Sequence, residues 1–165
     1  MKKLLVIAVM AAKSVFALEV GDFAPCVVLE DIQTNGKSIN QCIRTPNQKG
    51  QAVILDFSLP ECEDCAKNLP LLSQLAGDVH AVATTRVVMV SRDKAKIQNF
   101  MNLNKSSIQF PVSLDLKLQA MRTYGVDAGP TIFVLDSKNI ILFKHVGILT
   151  DDAIAKIKAL VDTLE

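Results

Sequence analysis

Ala52-Val53-Ile54-Leu55-Asp56-Phe57-Ser58-Leu59-Pro60-Glu61-Cys62-Glu63-Asp64-Cys65 is the stretch that decides the fold of this chain. From Ala52 to Phe57 it is apolar except for Asp56, as expected of a central strand covered on both faces. An amphipathic run from Ala66 to Ala76 follows the cysteines and predicts a helix, with Pro70 inside it removing a backbone donor and kinking it. Two cysteines three apart at a helix start can close a small disulfide ring. The first thiol then sits where unpaired N–H groups and the helix dipole stabilise a thiolate. That is the chemistry of thiol–disulfide exchange. A C-x-x-C is also half of a zinc site, but such a site needs four Cys or His ligands. Here Cys26 and Cys42 are sixteen residues apart, and His80 and His145 lie far from both, so no metal is expected. A purely structural disulfide is the other alternative, though a ring this tight closes almost no loop and adds little stability.

Upstream, Ala24 to Cys42 reads as a β-hairpin around Thr34-Asn35-Gly36-Lys37, because Asn-Gly is the strongest short hairpin signal. Counted outward from Asn35-Gly36, Cys42 falls opposite Leu29, which leaves Cys26 about three residues out of register. The two either reach each other through a bulge or a bent arm, as a structural disulfide, or remain separate buried thiols. Downstream, Arg86 to Ser91 predicts a second central strand, and Asp93 can cap a helix from Lys94 to Leu103. A short extended piece at Pro111-Val112 precedes a helix from Leu116 to Tyr124. Thr131–Leu135 and Ile140–Val146 pair around Asp136-Ser137-Lys138-Asn139. Thr150 caps a last helix whose first turn holds Asp151 and Asp152. This order indicates one α/β domain with a mixed central sheet.

At the N-terminus, Lys2-Lys3, the nine apolar residues Leu4 to Ala12 and Val15-Phe16-Ala17 read as a signal peptide cleaved near Ala17. Nine apolar residues are too few to span a bilayer, which takes about 20. A buried first strand and a retained anchor are the alternatives. The expected domains are thus a signal peptide at 1–17 and a folded domain at 18–165. Losing 1–17 removes Lys2, Lys3 and Lys13 and no acid, taking the formal charge from +1 to −2. Near-neutral charge without a basic run gives no reason to expect nucleic acid as a partner. Export to an oxidising compartment, the periplasm of a bacterium, fits four cysteines.

From about Val20 onward the chain resembles the thioredoxin superfamily. Its members carry a buried Asp six residues before the first active cysteine (Asp56), and a proline five residues after the second (Pro70). They also carry a cis-proline followed by Thr before a late strand (Gly129-Pro130-Thr131), and a glycine between the last strand and last helix (Gly147). Gly21-Asp22-Phe23-Ala24-Pro25 before a hairpin is similar to exported TlpA-like proteins and to peroxiredoxins. So is the additional stretch between Cys65 and Pro130, which implies a helical insertion before the cis-Pro strand. Peroxiredoxins require Thr or Ser and Pro where Leu59 and Leu55 stand, so the resemblance implies no peroxidase. The chain departs from the TlpA-like pattern at Glu61, usually tryptophan, at Glu63-Asp64, usually Gly-Pro or Pro-Pro, and at Asn68, often glutamate.

What the resemblance implies is an exported thiol–disulfide oxidoreductase needing no cofactor. Cys62 attacks, Cys65 resolves the mixed disulfide, and Asp56 accepts the proton of Cys65. Gly129, Pro130 and Thr131 hold an extended substrate segment by strand addition. A strand-end Asp turned to solvent and an ordinary strand-entry proline are the alternatives. Glu61, Glu63 and Asp64 crowd negative charge around Cys62 and disfavour its thiolate, which moves the pair toward the reducing end; solvated carboxylates with no such effect are the other reading. The expected partners are protein disulfides and an upstream, membrane-bound thiol donor, with the protein a monomer. The rivals are a binding or metal-delivery module that kept the fold, and an isomerase or oxidase.

Overall fold

The computed structural model describes residues 17–164. The expected signal peptide, but for Ala17, lies outside the described residues. Among them, no helix is long and apolar enough to cross a membrane. Seven strands form one mixed sheet in the order β2-β1-β5-β4-β3-β6-β7. They are β1 (Val28–Ile32), β2 (Ser38–Cys42), β3 (Ala52–Ser58), β4 (Ala83–Val90), β5 (Val112–Asp115), β6 (Thr131–Leu135) and β7 (Ile141–Val146). The helices are α1 (Glu63–Val79), α2 (Lys94–Leu103), α3 (Gln119–Tyr124) and α4 (Asp151–Asp162). β3, β4 and β5 run parallel, and β6 lies antiparallel to β3.

Alternation along β3 sorts the core into two layers. Ala52 and Ile54 face a cluster built with Leu69, Leu72 and Leu75 of α1, Ile97 and Phe100 of α2, and Ile157 of α4. Val53, Leu55 and Phe57 face a second cluster with Tyr124 at the end of α3, together with Ala24 and Val27 from the segment before β1. Every residue of β3 is buried, as its apolar run requires. Asp56 and Ser58 therefore point to the face that α1 covers. Pro70 lies inside α1, which nevertheless runs unbroken from Glu63 to Val79.

One register differs from the sequence reading. Cys42 pairs with Val28, not Leu29. The hairpin is not centred on Asn35-Gly36: Gly36, at φ +79°, closes a three-residue loop with its N–H on Gln33 O, and Gln33 N–H bonds Lys37 O. That is a turn ending in a left-handed residue, for which glycine is suited. The slip of one leaves Cys26 two positions beyond Cys42's partner, and residues two apart share a face. Their Cα atoms are 5.4 Å apart and the structure joins their sulfurs.

A buried polar clamp fixes this hairpin to the sheet. Arg86 of β4 places Nε 3.2 Å from Asp31 Oδ1 of β1, and its Nη1 donates to the carbonyls of Ile43 (2.6 Å) and Thr45 (3.0 Å). Asp31 also accepts from Ser113 Oγ at 2.6 Å and from the side-chain amides of Gln33 and Gln41. A buried charge is tolerable only when paired and hydrogen-bonded in this way.

Candidate active site

The carboxyl end of β3 delivers the chain through Leu59-Pro60-Glu61 to the start of α1. Cys62 is the N-cap of α1, with extended backbone, and its Sγ accepts the Cys65 N–H at 3.0 Å. A sulfur in this position occupies the place a Ser or Asp oxygen takes at an ordinary cap, where helix N–H groups converge and a thiolate is stabilised. Cys65, one turn in, is wholly buried, whereas Cys62 is partly exposed. The two sulfurs are joined, with Cα atoms 5.2 Å apart. The structure thus holds the oxidised form of the pair.

The Gly129–Pro130 bond is cis, and it lies against these cysteines. Gly129 O is 3.3 Å from Cys62 Sγ. A Cβ on Gly129 would stand 2.5 Å from Leu59 Cδ1 and 2.9 Å from Cys65 Sγ, so the close approach requires a glycine here. Pro130 O is already occupied by the Gly147 N–H (2.8 Å), and Thr131 Oγ1 donates to Ala128 O (2.6 Å). Among the described residues, Gly129 itself makes no backbone–backbone hydrogen bond. Its carbonyl faces Cys62 Sγ and takes no backbone donor among the described residues.

Asp56 is fully buried in mid-sheet between Val87 and Ile132, on the sheet face that α1 covers. Ser58 Oγ donates to Asp56 Oδ2 at 2.9 Å, while Oδ1 has no partner. Burial pushes this carboxyl up to about 7, and the Ser58 hydroxyl and the Asn68 amide pull in the opposite direction. Asn68 lies on the buried side of α1, three residues beyond Cys65. Its Oδ1 accepts Leu149 N–H at 2.9 Å, leaving Nδ2 unpaired on the Asp56 side. Desolvation therefore outweighs local hydrogen bonding, and the carboxyl titrates near neutrality.

The carboxylates around Cys62 have company that the sequence does not display. Lys96 Nζ of α2 meets Glu61 Oε1 at 2.6 Å, and Lys67 Nζ meets Glu63 Oε1 at 2.7 Å, one helical turn away. Lys67 holds the Glu63 carboxyl below its usual range. Asp64 alone of the three has no ion pair among the described residues. The negative field at Cys62 is correspondingly weaker than three bare acids would give.

His80 closes α1 with Nδ1 on Gly77 O, and His145 lies on the edge strand β7. Among the described residues, no three His, Cys, Asp or Glu side chains converge as metal ligands would. The sequence reading did not find Ser58 as a partner of Asp56, although residues two apart on a strand share a face and the signal was there. It also gave Asn68 no role beyond a departure from a pattern. Its contact with Leu149, 81 residues away, has no local signature.

The chain is similar to known proteins along most of its length. The AhpC/TSA family model matches residues 20–144. Thiol-disulfide oxidoreductase ResA of Bacillus subtilis is 32% identical over 148 residues, covering 89% of this chain and 77% of that one. Sporulation thiol-disulfide oxidoreductase A of the same organism is 32% identical over 113 residues, 66% of each chain. Among solved structures, one assigned as a thiol:disulfide interchange protein DsbE from Chlorobium tepidum superposes with a TM-score of 0.73 at 26% identity, over 90% of this chain and all of that one. StoA from Bacillus subtilis superposes at 0.62 and 25%, over 86% and 99%. The chain belongs to the AhpC/TSA family and, with a Cys62–Cys65 pair at the head of a thioredoxin-fold helix, is a thiol–disulfide oxidoreductase.

Proposed function

We propose that this oxidoreductase is exported and works as a reductant of protein disulfides, with Cys62 as nucleophile, Cys65 as resolving thiol and Asp56 as proton acceptor. The observation that carries the assignment of roles is the asymmetry of the pair: Cys62 is partly exposed at a helix N-cap, and Cys65 is wholly buried in α1, on the same sheet face as a carboxyl that titrates near 7. The Cys62 thiolate attacks one sulfur of a substrate disulfide, forming a mixed disulfide and releasing the other substrate sulfur as a thiolate. Asp56 takes the Cys65 proton, the Cys65 thiolate attacks Cys62 Sγ, and the second substrate thiolate leaves. Two electrons pass to the substrate and the Cys62–Cys65 disulfide remains, to be reduced by an upstream thiol donor in the membrane. Gly129, Pro130 and Thr131 position the substrate chain; the reading is supported by the Gly129 carbonyl, which takes no backbone donor among the described residues and lies beside Cys62 Sγ.

Export is supported by the pattern Lys2-Lys3, Leu4–Ala12 and Val15-Phe16-Ala17. The reducing direction is supported by Asp64, which adds unpaired negative charge in the first turn of α1 and disfavours the Cys62 thiolate. The lysines that offset Glu61 and Glu63 favour the second reading, an isomerase or oxidase. The reduction potential separates the two. Equilibration of the mature protein with glutathione or dithiothreitol, followed by thiol trapping, is expected to give a value toward the thioredoxin end, about −270 mV. A potential near about −120 mV would make the protein an oxidant and overturn the proposed direction.

A further inference from the structure

A groove beside Cys62 has been given no role so far. It encloses about 380 Å3 and is lined by Leu59, Pro60, Val90, Leu118 and Met121, together with Cys62 and the exposed Arg92. Its volume lies at the low end of ligand sites, which run to about 1,000 Å3, and it suits one or two side chains better than a large organic molecule. Leu59 joins the two halves of the site, because the same side chain that lines the groove also lies where a Gly129 Cβ would fall. A chain laid along the Gly129 carbonyl with its cysteine at Cys62 therefore has its neighbouring side chains over this groove.

Two features show that the groove is built rather than left over. Leu118 sits at φ +55°, a left-handed conformation uncommon for a residue with a side chain and often found at functional sites. It is held there by Asp115, whose buried carboxylate accepts the Gln119 N–H at 2.7 Å and the Met121 N–H at 2.9 Å, while Asp115 O accepts the Leu118 N–H at 3.3 Å. Local geometry thus holds Leu118 and Met121 at the groove wall. The charge at the rim is also one-sided: Glu61 is paired with Lys96, whereas exposed Arg92 has no ion-pair or hydrogen-bond partner among the described residues.

Resting on the reading of the protein as a protein-disulfide exchanger, we infer that this groove is the specificity subsite of the reaction, taking a large apolar side chain adjacent to the substrate's reactive cysteine, with an acidic residue beside it meeting Arg92. The occupant is an extended peptide segment of a protein disulfide, apolar next to its cysteine and carrying a carboxylate.

The test uses the reduced protein and a set of disulfide-bonded peptides that differ only beside the cysteine, with thiol trapping to give the exchange rate of each. The leucine peptide is expected to react at least about tenfold faster than the alanine peptide, the range a hydrophobic pocket provides. A glutamate peptide is expected to outpace its lysine counterpart about threefold, the scale of an exposed ion pair, with the margin shrinking as salt rises. Met121→Ser collapses the leucine-to-alanine ratio and Arg92→Glu inverts the glutamate-to-lysine ratio. Both ratios are taken within one variant, so a general loss of rate cancels, and exposed Arg92 can be changed without touching the core. Equal rates for leucine and alanine peptides overturn the groove while leaving the exchanger intact. Absence of exchange with every peptide and with glutathione disulfide overturns both.

Discussion

Replacing Asp56 with asparagine should stabilise the protein and disable it, by amounts that follow from one buried carboxyl. Its pKa is about 7 in the fold against a reference of 3.8. Below about pH 4 both the folded and unfolded chains hold the proton, and the group is neutral to stability. As pH rises, the unfolded chain releases its proton while the native state keeps it, so stability falls by about 1.4 kcal/mol per pH unit. The deficit is complete above about pH 7 and amounts to roughly 4 kcal/mol. Asparagine cannot ionise, yet its side-chain oxygen can still accept the Ser58 hydroxyl that Asp56 holds at 2.9 Å. The Asp56→Asn protein should therefore match the wild type near pH 4 and exceed it by roughly 4 kcal/mol at pH 8, which is about 2 M in urea midpoint for an m value of about 2 kcal/mol/M. Equilibrium urea unfolding of the oxidised proteins at several pH values measures this, because the cysteines then do not titrate and the other acids cancel in the difference. Disulfide exchange should move the opposite way, with the resolving step slowed by about 10²-fold or more and its rise through pH 7 lost. A stability difference that stays flat between pH 4 and pH 8 would refute the reasoning, since a buried, titrating carboxylate cannot give one.

Gly129→Ala should leave a folded protein whose exchange rate falls by about 10²-fold, because the new methyl displaces Leu59 or the Cys65 sulfur it would stand 2.9 Å from; a rate within a factor of two in a stopped-flow exchange assay argues against the close approach. Lys96→Ala strips Glu61 of its partner and should shift the reduction potential to more negative values, by less than the ~30 mV of a tenfold change in equilibrium constant; glutathione equilibration reads the sign, and a shift toward oxidising values contradicts it. Asp31→Ala leaves the Arg86 guanidinium buried without its counter-charge and should cost about 3–5 kcal/mol in urea unfolding. Cys26→Ser with Cys42→Ser opens a loop spanning 16 positions and should cost about 3 kcal/mol at unchanged exchange rate; intact mass after alkylation of the unfolded wild type, with both pairs protected, checks the bond directly.

The sheet was legible because its signals are local. The run Ala52–Phe57, apolar but for Asp56, the Asp93 and Thr150 caps and the Asp136–Asn139 turn each announce themselves within a few residues, and the structure has them there. The helix before Gly125 starts at Gln119 rather than Leu116, because Leu118 takes the left-handed conformation that only the fold imposes on it. The hairpin register was missed by one, since Asn-Gly marks a turn without saying whether its loop has two residues or three. In the site, the C-x-x-C spacing marked Cys62 and Cys65, the apolar strand made Asp56 conspicuous, and the resemblance pointed to Gly129-Pro130. What spacing could not display is partnership across the sequence. Glu61 looks like a bare acid until α2 brings Lys96 to it from 35 residues away, and Asn68 looks like a substitution until Leu149 fixes its amide.

These long-range partnerships set how the two thiols divide the work. Cys62 and Cys65 are chemically identical and one helical turn apart, so the different roles proposed for them must come from surroundings. At Cys62 the surroundings favour negative charge: a helix N-cap, partial exposure, and rim acids mostly offset by lysines. At Cys65 they disfavour it, since burial raises the cost of a thiolate. On the roles proposed above, a mixed disulfide on Cys62 persists until something removes the Cys65 proton, and the proposed acceptor is Asp56, itself held near neutrality by the same burial. The two unpaired atoms nearby, Asp56 Oδ1 and Asn68 Nδ2, fit this arrangement. A closer approach of the Asn68 amide, which already pulls this carboxyl down, would stabilise the carboxylate further, lower its pKa and leave a weaker base toward a buried thiol.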